Sequence, residues 1–485
     1  LVKKYFLSVT IGMVTFLWIM TQAFAQAPAE QMQKRIDDLE KQVNELKLMI
    51  QEQQKARAEE KARVEKVEQK VDHAEKTKTA PSSVASTASS IISDLKFKPY
   101  GFIKLDAVHD DKRVYPSSGN YIVYVPSEKT VHQKHESFSM TARQTQLGLY
   151  ILAPETYSWV AKGRLEMDFY GDGTAHENKA EPLLRQAYVE LTKGNYDIIA
   201  GQTNDLISPL APNTLNYTVG WDAGNIGYRR PQVRFTYTYP LNAQNKLIGA
   251  IAAVRYKGLS NEDIDGDTKN DGEDAGYPTI QGRLAWSTKQ LFCTEKESVF
   301  GVSGHYGQEK IDWSMFDKNI KGYHQRSPKT WSINADYEVP LTKRLALKGE
   351  WFYGSNLDDY FGGIGQGINT LTTGSAGSLV PVDKNFTSTI RSMGGWTQLT
   401  YQYNKWKYNV GAGIDDPRNS DLSWNKSVTA AKAMRSRNTF YFGNFYYNLI
   451  PPVDLCLEYS HWDTQYKGFS DGKDDRIQSS VIFKW

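Results

Sequence analysis

Between Tyr157 and Gly171 the chain reads YSWVAKGRLEMDFYG, in which Tyr157, Trp159, Ala161, Leu165, Met167 and Phe169 alternate with Ser158, Lys162, Arg164, Glu166 and Asp168. A period of two places successive side chains on opposite faces, and only an extended strand does that. The same alternation returns in VRFTYTY (Val233 to Tyr239), PTIQGRLAW (Pro278 to Trp286), WSINADYEV (Trp331 to Val339), WKYNVGAGI (Trp406 to Ile414) and RIQSSVIFKW (Arg476 to Trp485). Strands are predicted over 97–108, 140–153, 157–170, 183–193, 195–202, 232–240, 246–257, 277–288, 298–309, 329–339, 344–355, 391–403, 406–415, 437–449, 453–463 and 476–485, sixteen in all. Short connections (APET, KGN, PLNAQN, VPLTK, NK, LIPPV) are interleaved with long polar ones over 109–139, 203–231, 258–276, 310–328, 356–390 and 416–436. An even number of strands of about ten residues, with short turns on one rim and long loops on the other, predicts an all-β fold: a closed, sixteen-stranded antiparallel transmembrane β-barrel.

A soluble sandwich accounts for one alternating strand, but not for a whole set of spanning length. In lipid the apolar alternates turn outward, and the charged ones face the bore. Lys162, Arg164, Glu166 and Asp168 follow one another on one face. Burying such ions dry and unpaired costs several kcal/mol each, so the bore is expected to hold water.

The chain ahead of the barrel obeys a different period. LVKKYFLSVTIGMVTFLWIMTQAFAQA has Lys3 and Lys4, an apolar core from Tyr5 to Met20 and the small-residue site Ala23-Phe24-Ala25. That pattern predicts a secretory signal over 1–25. Ile36, Leu39, Val43, Leu46 and Ile50, then Val64, Val67, Val71 and Ala74, take heptad a and d positions. Residues 26–76 are therefore expected to form an α-helical coiled coil, roughly 70 Å long. Its stripe needs partner helices, so a homo-oligomer follows, and Ile or Val at a with Leu at d leans toward two strands. Residues 77–95, rich in Ser, Thr and Ala, read as a flexible linker into the barrel at 96–485.

Composition sharpens this reading. The 29 Tyr, 19 Phe and 12 Trp suit the two interfaces of a bilayer, where amphipathic rings settle. No apolar run beyond the leader approaches the roughly 20 residues of a spanning helix. A net charge of +3 without a basic block argues against nucleic acid as a partner. Cys293 and Cys456 allow at most one disulfide, and neither lies in a haem-attachment motif. The chain closes on IFKW, a terminal aromatic resembling the ending of bacterial outer-membrane proteins, with Trp in place of the usual Phe.

KPYGFIKLDAVHDD (Lys98 to Asp111), TARQTQLGLYI (Thr141 to Ile151), GRLEMDFYGDG (Gly163 to Gly173), LLRQAYVEL (Leu183 to Leu191) and AGQTNDLISPLAPNTLNY (Ala200 to Tyr217) resemble the corresponding strands of DcaP-type porins. The resemblance covers the first third of the barrel; beyond about residue 260 only the barrel pattern supports it. It implies a trimeric sixteen-stranded channel of the outer membrane with a periplasmic coiled coil, passing small and often anionic solutes. It also implies three helices in the coil, against the lean toward two. The dense Arg/Lys ladder that phosphate-selective porins demand is missing.

Counted from a first strand at Phe97, the third connection on the long-loop rim, TNDLISPLAPNTLNYTVGWDAGNIGYRRP from Thr203 to Pro231, stands where general porins fold a loop inward, and it is expected to narrow the bore. Within it Asp205 and Asp222 oppose Arg229 and Arg230 in sign. Parity puts Lys162, Arg164, Glu166, Asp168, Arg234 and Arg283 on the bore face near this loop, with Glu190 close by. Arg185 shares its parity with Val189 and Leu191, which points it to the outer rim. A ring of cations would concentrate anions in the throat and would hold a carboxylate bidentately; the bland counterpart is that these charges pair across strands and brace a hydrated wall.

Two metal-like clusters carry less. Asp263, Asp265, Asp267 and Asp271 have EF-hand-like spacing, but Thr268 stands where the sharp turn needs Gly, so a solvated acidic loop, bridged by divalent ions to lipopolysaccharide, is expected. His132 and His135 read as loop histidines. No metal and no cofactor is expected. His461 and Asp463 share a strand face without an evident serine, and no G-x-S-x-G, H-E-x-x-H or P-loop occurs, so no catalysis is expected. The predicted function is passive diffusion of small hydrophilic solutes, with anions among the candidates. The competing class is a structural anchor whose coil binds peptidoglycan, with outer-membrane lipid and lipopolysaccharide around the barrel in either case.

Overall fold

The computed structural model describes residues 95–485, apart from 117–118, 131–132, 172–178, 257–262, 266–267, 293–295, 313–324 and 374–379. The expected signal, coiled coil and most of the linker lie outside the described residues.

The strands run β1 (Lys96–Asp110), β2 (Ser137–Thr141 with Gln146–Leu152), β3 (Val160–Asp168), β4 (Leu183–Lys193), β5 (Tyr196–Asn204), β6 (Arg229–Pro240), β7 (Asn245–Val254) and β8 (Thr279–Thr288). They continue as β9 (Ser298–Gln308), β10 (Lys329–Pro340), β11 (Leu345–Ser355), β12 (Arg391–Tyr403), β13 (Trp406–Pro417), β14 (Arg435–Ile450), β15 (Val453–Tyr466) and β16 (Phe469–Lys484). Both segments of β2 pair with β1, one above and one below a break, and so count as one strand. Each strand is antiparallel to its sequence neighbours, and β16 returns to β1 in a register from Phe102↔Lys484 to Asp110↔Arg476. The described residues thus form a closed barrel of sixteen strands without an edge, which removes the exposed ladder groups that lipid could not satisfy.

Its two faces have the polarity that the alternation predicts. Ile103, Leu105, Leu165, Val233, Val302, Ile333, Val410 and Val481 are exposed on the outside, while Asp106, Glu166, Gln281, Asn334, Gln398, Asn409, Glu458 and Gln478 are buried within. Aromatic rings gather at both ends of this apolar band. Near the short turns Trp406 packs on Tyr408, Phe445 and Tyr447 at centroid distances of 5.8, 5.4 and 4.5 Å, and Trp286 stacks on Phe300 at 5.9 Å. Near the long loops Trp331 meets Tyr353 edge-on at 5.4 Å. Two aromatic girdles around an apolar band are what a bilayer of two interfaces selects.

Two strands, Leu183–Lys193 and Arg391–Tyr403, coincide end for end with their sequence expectation. The largest departure is at the last hairpin, where β15 runs to Tyr466 and β16 already begins at Phe469, seven residues before the expected 476. Here the outward positions are His461, Asp463, Lys473 and Asp475, joined by Lys473–Asp463 (3.1 Å) and His461–Asp475 (2.8 Å). The ladder continues, but with polar residues on both faces the alternation disappears. Cys456 carries a free thiol, buried beside Leu215, Ile482 and Phe102; Cys293 lies outside the described residues.

Candidate functional site: a loop-narrowed bore

The third long loop, 205–228, enters the barrel at Asp205. That carboxylate accepts from Arg230 Nε (2.9 Å), the Tyr228 amide (2.9 Å) and Gln281 Nε2 (2.8 Å), and Gln281 Oε1 in turn accepts from the Leu206 amide (2.8 Å). Arg230 is fully buried, stacks over Tyr360 at 4.1 Å and donates to the Asp359 carbonyl (3.0 Å). From this hinge the loop follows the inner wall. Ser303 of β9 donates to the Ile207 carbonyl (3.1 Å), and Glu350 of β11 accepts from the Leu210 amide (2.7 Å), Trp396 Nε1 (3.1 Å) and the Ser208 hydroxyl. Gln398 of β12 accepts from the Asn213 amide (2.6 Å), and Glu458 of β15 accepts from the Leu215 amide (2.7 Å) and from Asn444 (2.7 Å). Lys104 of β1 and Gln478 of β16 both donate to the Leu215 carbonyl, at 2.7 and 3.0 Å. A loop without ladder partners must place its amides somewhere, and here the polar inner wall from β8 round to β1 receives them.

The tip of the loop lies against bare backbone. A Cβ added at Gly224 would stand 2.2 Å from the Gly395 carbonyl oxygen, and one at Gly413 would stand 2.3 Å from the Ala223 oxygen. Glycines on β12 and β13 therefore make a seat for the tip. Asp222, at φ 58°, accepts from the Gly365 amide at 2.8 Å. Burial pushes its carboxyl up to about 7, against the pull of Arg435 and of that amide.

On the sector from β2 to β7 the loop touches Asp168 of β3 through the Tyr217 hydroxyl (3.0 Å) and Ala252 and Val254 of β7 through Leu206, and all the expected bore charges except Arg234 stand in pairs. Lys162 bonds to Glu190 of the next strand. Arg164 holds Glu166 (2.6 Å) and donates through Nε to Tyr100 Oη (2.7 Å), which itself donates to Glu166 (2.8 Å). Tyr100 reaches them from β1 by lying across Gly148 of β2, where a Cβ would stand 2.2 Å from its ring. Arg283 of β8 binds Asp336 of β10 through two bonds, 3.0 and 2.5 Å, passing over Gly301 of β9, where a Cβ would meet both side chains within 2.6 Å. Lys162, Arg164 and Arg234 are partly exposed; Glu166 and Asp168 are buried behind them.

Arg185 corrects the parity reading. Between Glu166 and Met167 the β3–β4 register slips, with Glu166 opposite Gln186 and Met167 opposite Leu184. The extra residue is Arg185, and the bulge turns it inward onto Glu166 (2.9 Å) and Asp168 (2.6 Å). The four loop charges also differ from the simple picture. Arg229 and Arg230 open β6 rather than lying in the loop, and Asp205, Asp222, Arg229 and Arg230 are all buried. Arg229 stacks over Tyr228 at 4.4 Å. Tyr100, Glu350 and Glu458 went unnoticed in the sequence; the facing glycine at 148 is the one local signal for Tyr100.

The other candidate clusters are placed as follows. Oxygens of Asp263, Asp265 and Asp271 lie within 4.8 Å of one another. They accept from the Thr268, Asp312 and Ile264 amides at 2.8, 2.7 and 3.0 Å, and Asp265 and Asp271 are buried rather than solvated; Asp267 and His132 lie outside the described residues. His461 pairs with Asp475 and not with Asp463, stacks on Tyr441, and has no hydroxyl nucleophile on its ring among the described residues.

A closed antiparallel barrel of sixteen strands with its third long loop folded inside is the porin fold. Among solved structures the chain is similar to the outer-membrane channel DcaP of Acinetobacter baumannii, with TM-score 0.58 and 17% identity, covering 81% of this chain and 98% of that one. It also aligns with OprB of Pseudomonas putida (TM-score 0.49, 10% identity, 83% and 97% covered) and with an anion-selective porin from Comamonas acidovorans (0.46, 11%, 81% and 100%). No family model and no curated protein matches the sequence. The resemblance read from the first third of the barrel thus extends, as a likeness of fold, to the whole of it.

Proposed function

We propose that the protein is an outer-membrane porin, passing small hydrophilic solutes, anions in preference, through the space between the third loop and the β2–β7 wall. The observation that carries this reading is the asymmetry of the inner surface. From β8 round to β1 the wall is sealed by loop 205–228, whereas Lys162, Arg164 and Arg234 on the facing wall stay partly exposed. Ionised groups on an inner surface require water there, and water continuous along a barrel is a conduction path.

In this reading Lys162, Arg164, Glu166, Asp168, Arg234 and Arg283 line the throat. Asp205, Asp222, Arg229 and Arg230 fix the constriction loop without facing the solute. The long loops stand on the outer side beside lipopolysaccharide, and the short turns and the coiled coil stand in the periplasm, where the coil ties the barrels into a trimer and can touch peptidoglycan. Planar-bilayer recording of the purified full chain tests the reading. Discrete open-channel steps are expected; a bilayer that stays closed at all voltages favours a plugged barrel serving as an envelope anchor.

A further inference from the structure

Resting on that porin reading, we infer that Arg234 is the residue that sets the anion preference of the throat. The other charges expected in the throat cancel in place. Lys162 is joined to Glu190, Arg164 and Arg185 to Glu166 and Asp168, and Arg283 to Asp336. An ion pair presents a passing solute with a dipole, whose field falls away faster than that of a single charge, and its guanidinium edges are already occupied.

Arg234 is built differently. Its Nε and Nη2 donate to one neutral oxygen, Gln232 Oε1, at 3.1 and 2.9 Å, and Nη2 also donates to the Asn204 carbonyl. No carboxylate pairs with it among the described residues, and its Nη1 has no protein acceptor among them. The carboxylate of Asp205, just inside the loop hinge, is fully engaged by Arg230, Tyr228 and Gln281. Asp197 on β5, at the short-turn end of the same sector, accepts from the Thr192 hydroxyl (3.0 Å).

The support behind Arg234 is rigid. Gln232 is buried, and its Nε2 donates to the carbonyls of Thr203 and Asn204, both at 3.1 Å, and of Arg230 at 3.3 Å. That fork fixes the amide orientation, leaves Oε1 as the acceptor and holds the guanidinium at the bore edge of β6, directly beneath the loop hinge. A cation held by neutral oxygens keeps its full charge and an open donor edge for a solute anion. Lys348, across the bore, also binds only neutral oxygens, Ala211 O (2.7 Å) and Asn213 Oδ1 (3.1 Å). Those bonds tie it to the loop, so it acts as a brace, whereas Arg234 is partly exposed and binds no atom of the loop beyond the Asn204 carbonyl at its hinge.

The test is the zero-current potential of the reconstituted full chain in asymmetric potassium chloride. The parent is expected to favour chloride. Arg234→Gln should lower the chloride-to-potassium permeability ratio by about threefold, while single-channel conductance stays within about a factor of two and heat-modifiable gel mobility shows a folded barrel. Arg234→Lys should restore most of the ratio, and Arg437→Gln, on the outer surface, should leave it at the parental value. Removing the Arg283–Asp336 pair as R283Q/D336N should move the ratio less than Arg234→Gln does. An unchanged ratio in Arg234→Gln, or a larger shift on removing the pair, overturns the assignment. A parent that gives no channels at all overturns the porin reading itself.

Discussion

At the scale of single residues, the absence of a side chain does much of the positioning. Gly148 and Gly301 carry nothing, so Tyr100 and the Arg283–Asp336 pair can each reach across an intervening strand. Cross-strand contacts ordinarily join neighbours about 5 Å apart; spanning a whole strand requires a flat floor between the partners. Gly301→Val should therefore split the pair and turn two bound charges loose in the bore, seen as an altered zero-current potential with the barrel still folded. Asp222 makes a second prediction. Its carboxyl ionises near 3.8 when solvated and at about 7 in its buried place, so the folded loop holds the proton more tightly. Linkage then makes loop docking firmest below the solvated value and progressively weaker as pH rises through 7. Amide exchange at Gly365, the donor to Asp222, should be slower at pH 5 than at pH 8 after correction for intrinsic rates. Asp222→Asn should abolish the difference, and an equal difference in the variant would exclude this carboxyl as its source.

In the porin reading loop 205–228 is the element on which the bore depends, and buried carboxylates of the wall hold it. Glu350 receives three donors from the loop and from Trp396, and Glu458 receives the Leu215 amide. Glu350→Ala leaves those donors without their acceptor, at about 1–3 kcal/mol for each buried group. The expected result is a noisier and larger single-channel conductance. An unchanged conductance would show that the loop keeps its seat without Glu350. At the hinge, Asp205→Asn breaks a fully buried ion pair and should destabilise by about 3–5 kcal/mol, read as a lower temperature of the heat-modifiable mobility shift.

These elements also show what a sequence can reveal. The strands were legible because lipid on one side and water on the other impose a period of two, and β4 and β12 came out to the residue. Where that contrast ends the signal ends too: β15 and β16 rise past the apolar band with His461, Asp463, Lys473 and Asp475 on their outer face, and the pattern there looks like loop. Arg185 was misplaced because a bulge shifts parity by one without altering composition. The bore charges were recognised by face, but not their pairing, since partners such as Asp336 and Glu190 are chosen by register across strands. Arg229 and Arg230 read as constriction-loop residues, although they open β6 and are buried at the hinge.

For the whole molecule, closure of β16 on β1 turns sixteen marginal strands into a shell with every ladder filled, apolar outside and polar inside. Arg234, the third loop and the girdles of Trp and Tyr have meaning only if that shell stands in a bilayer with a hydrated bore. Solute flux into liposomes carrying the purified full chain tests this most directly. Fast osmotic swelling is expected in small hydrophilic solutes, slowing steeply as solute size rises and vanishing for a large dextran. Liposomes that hold back the smallest solutes as well as protein-free ones do, with the chain folded and inserted, would contradict it.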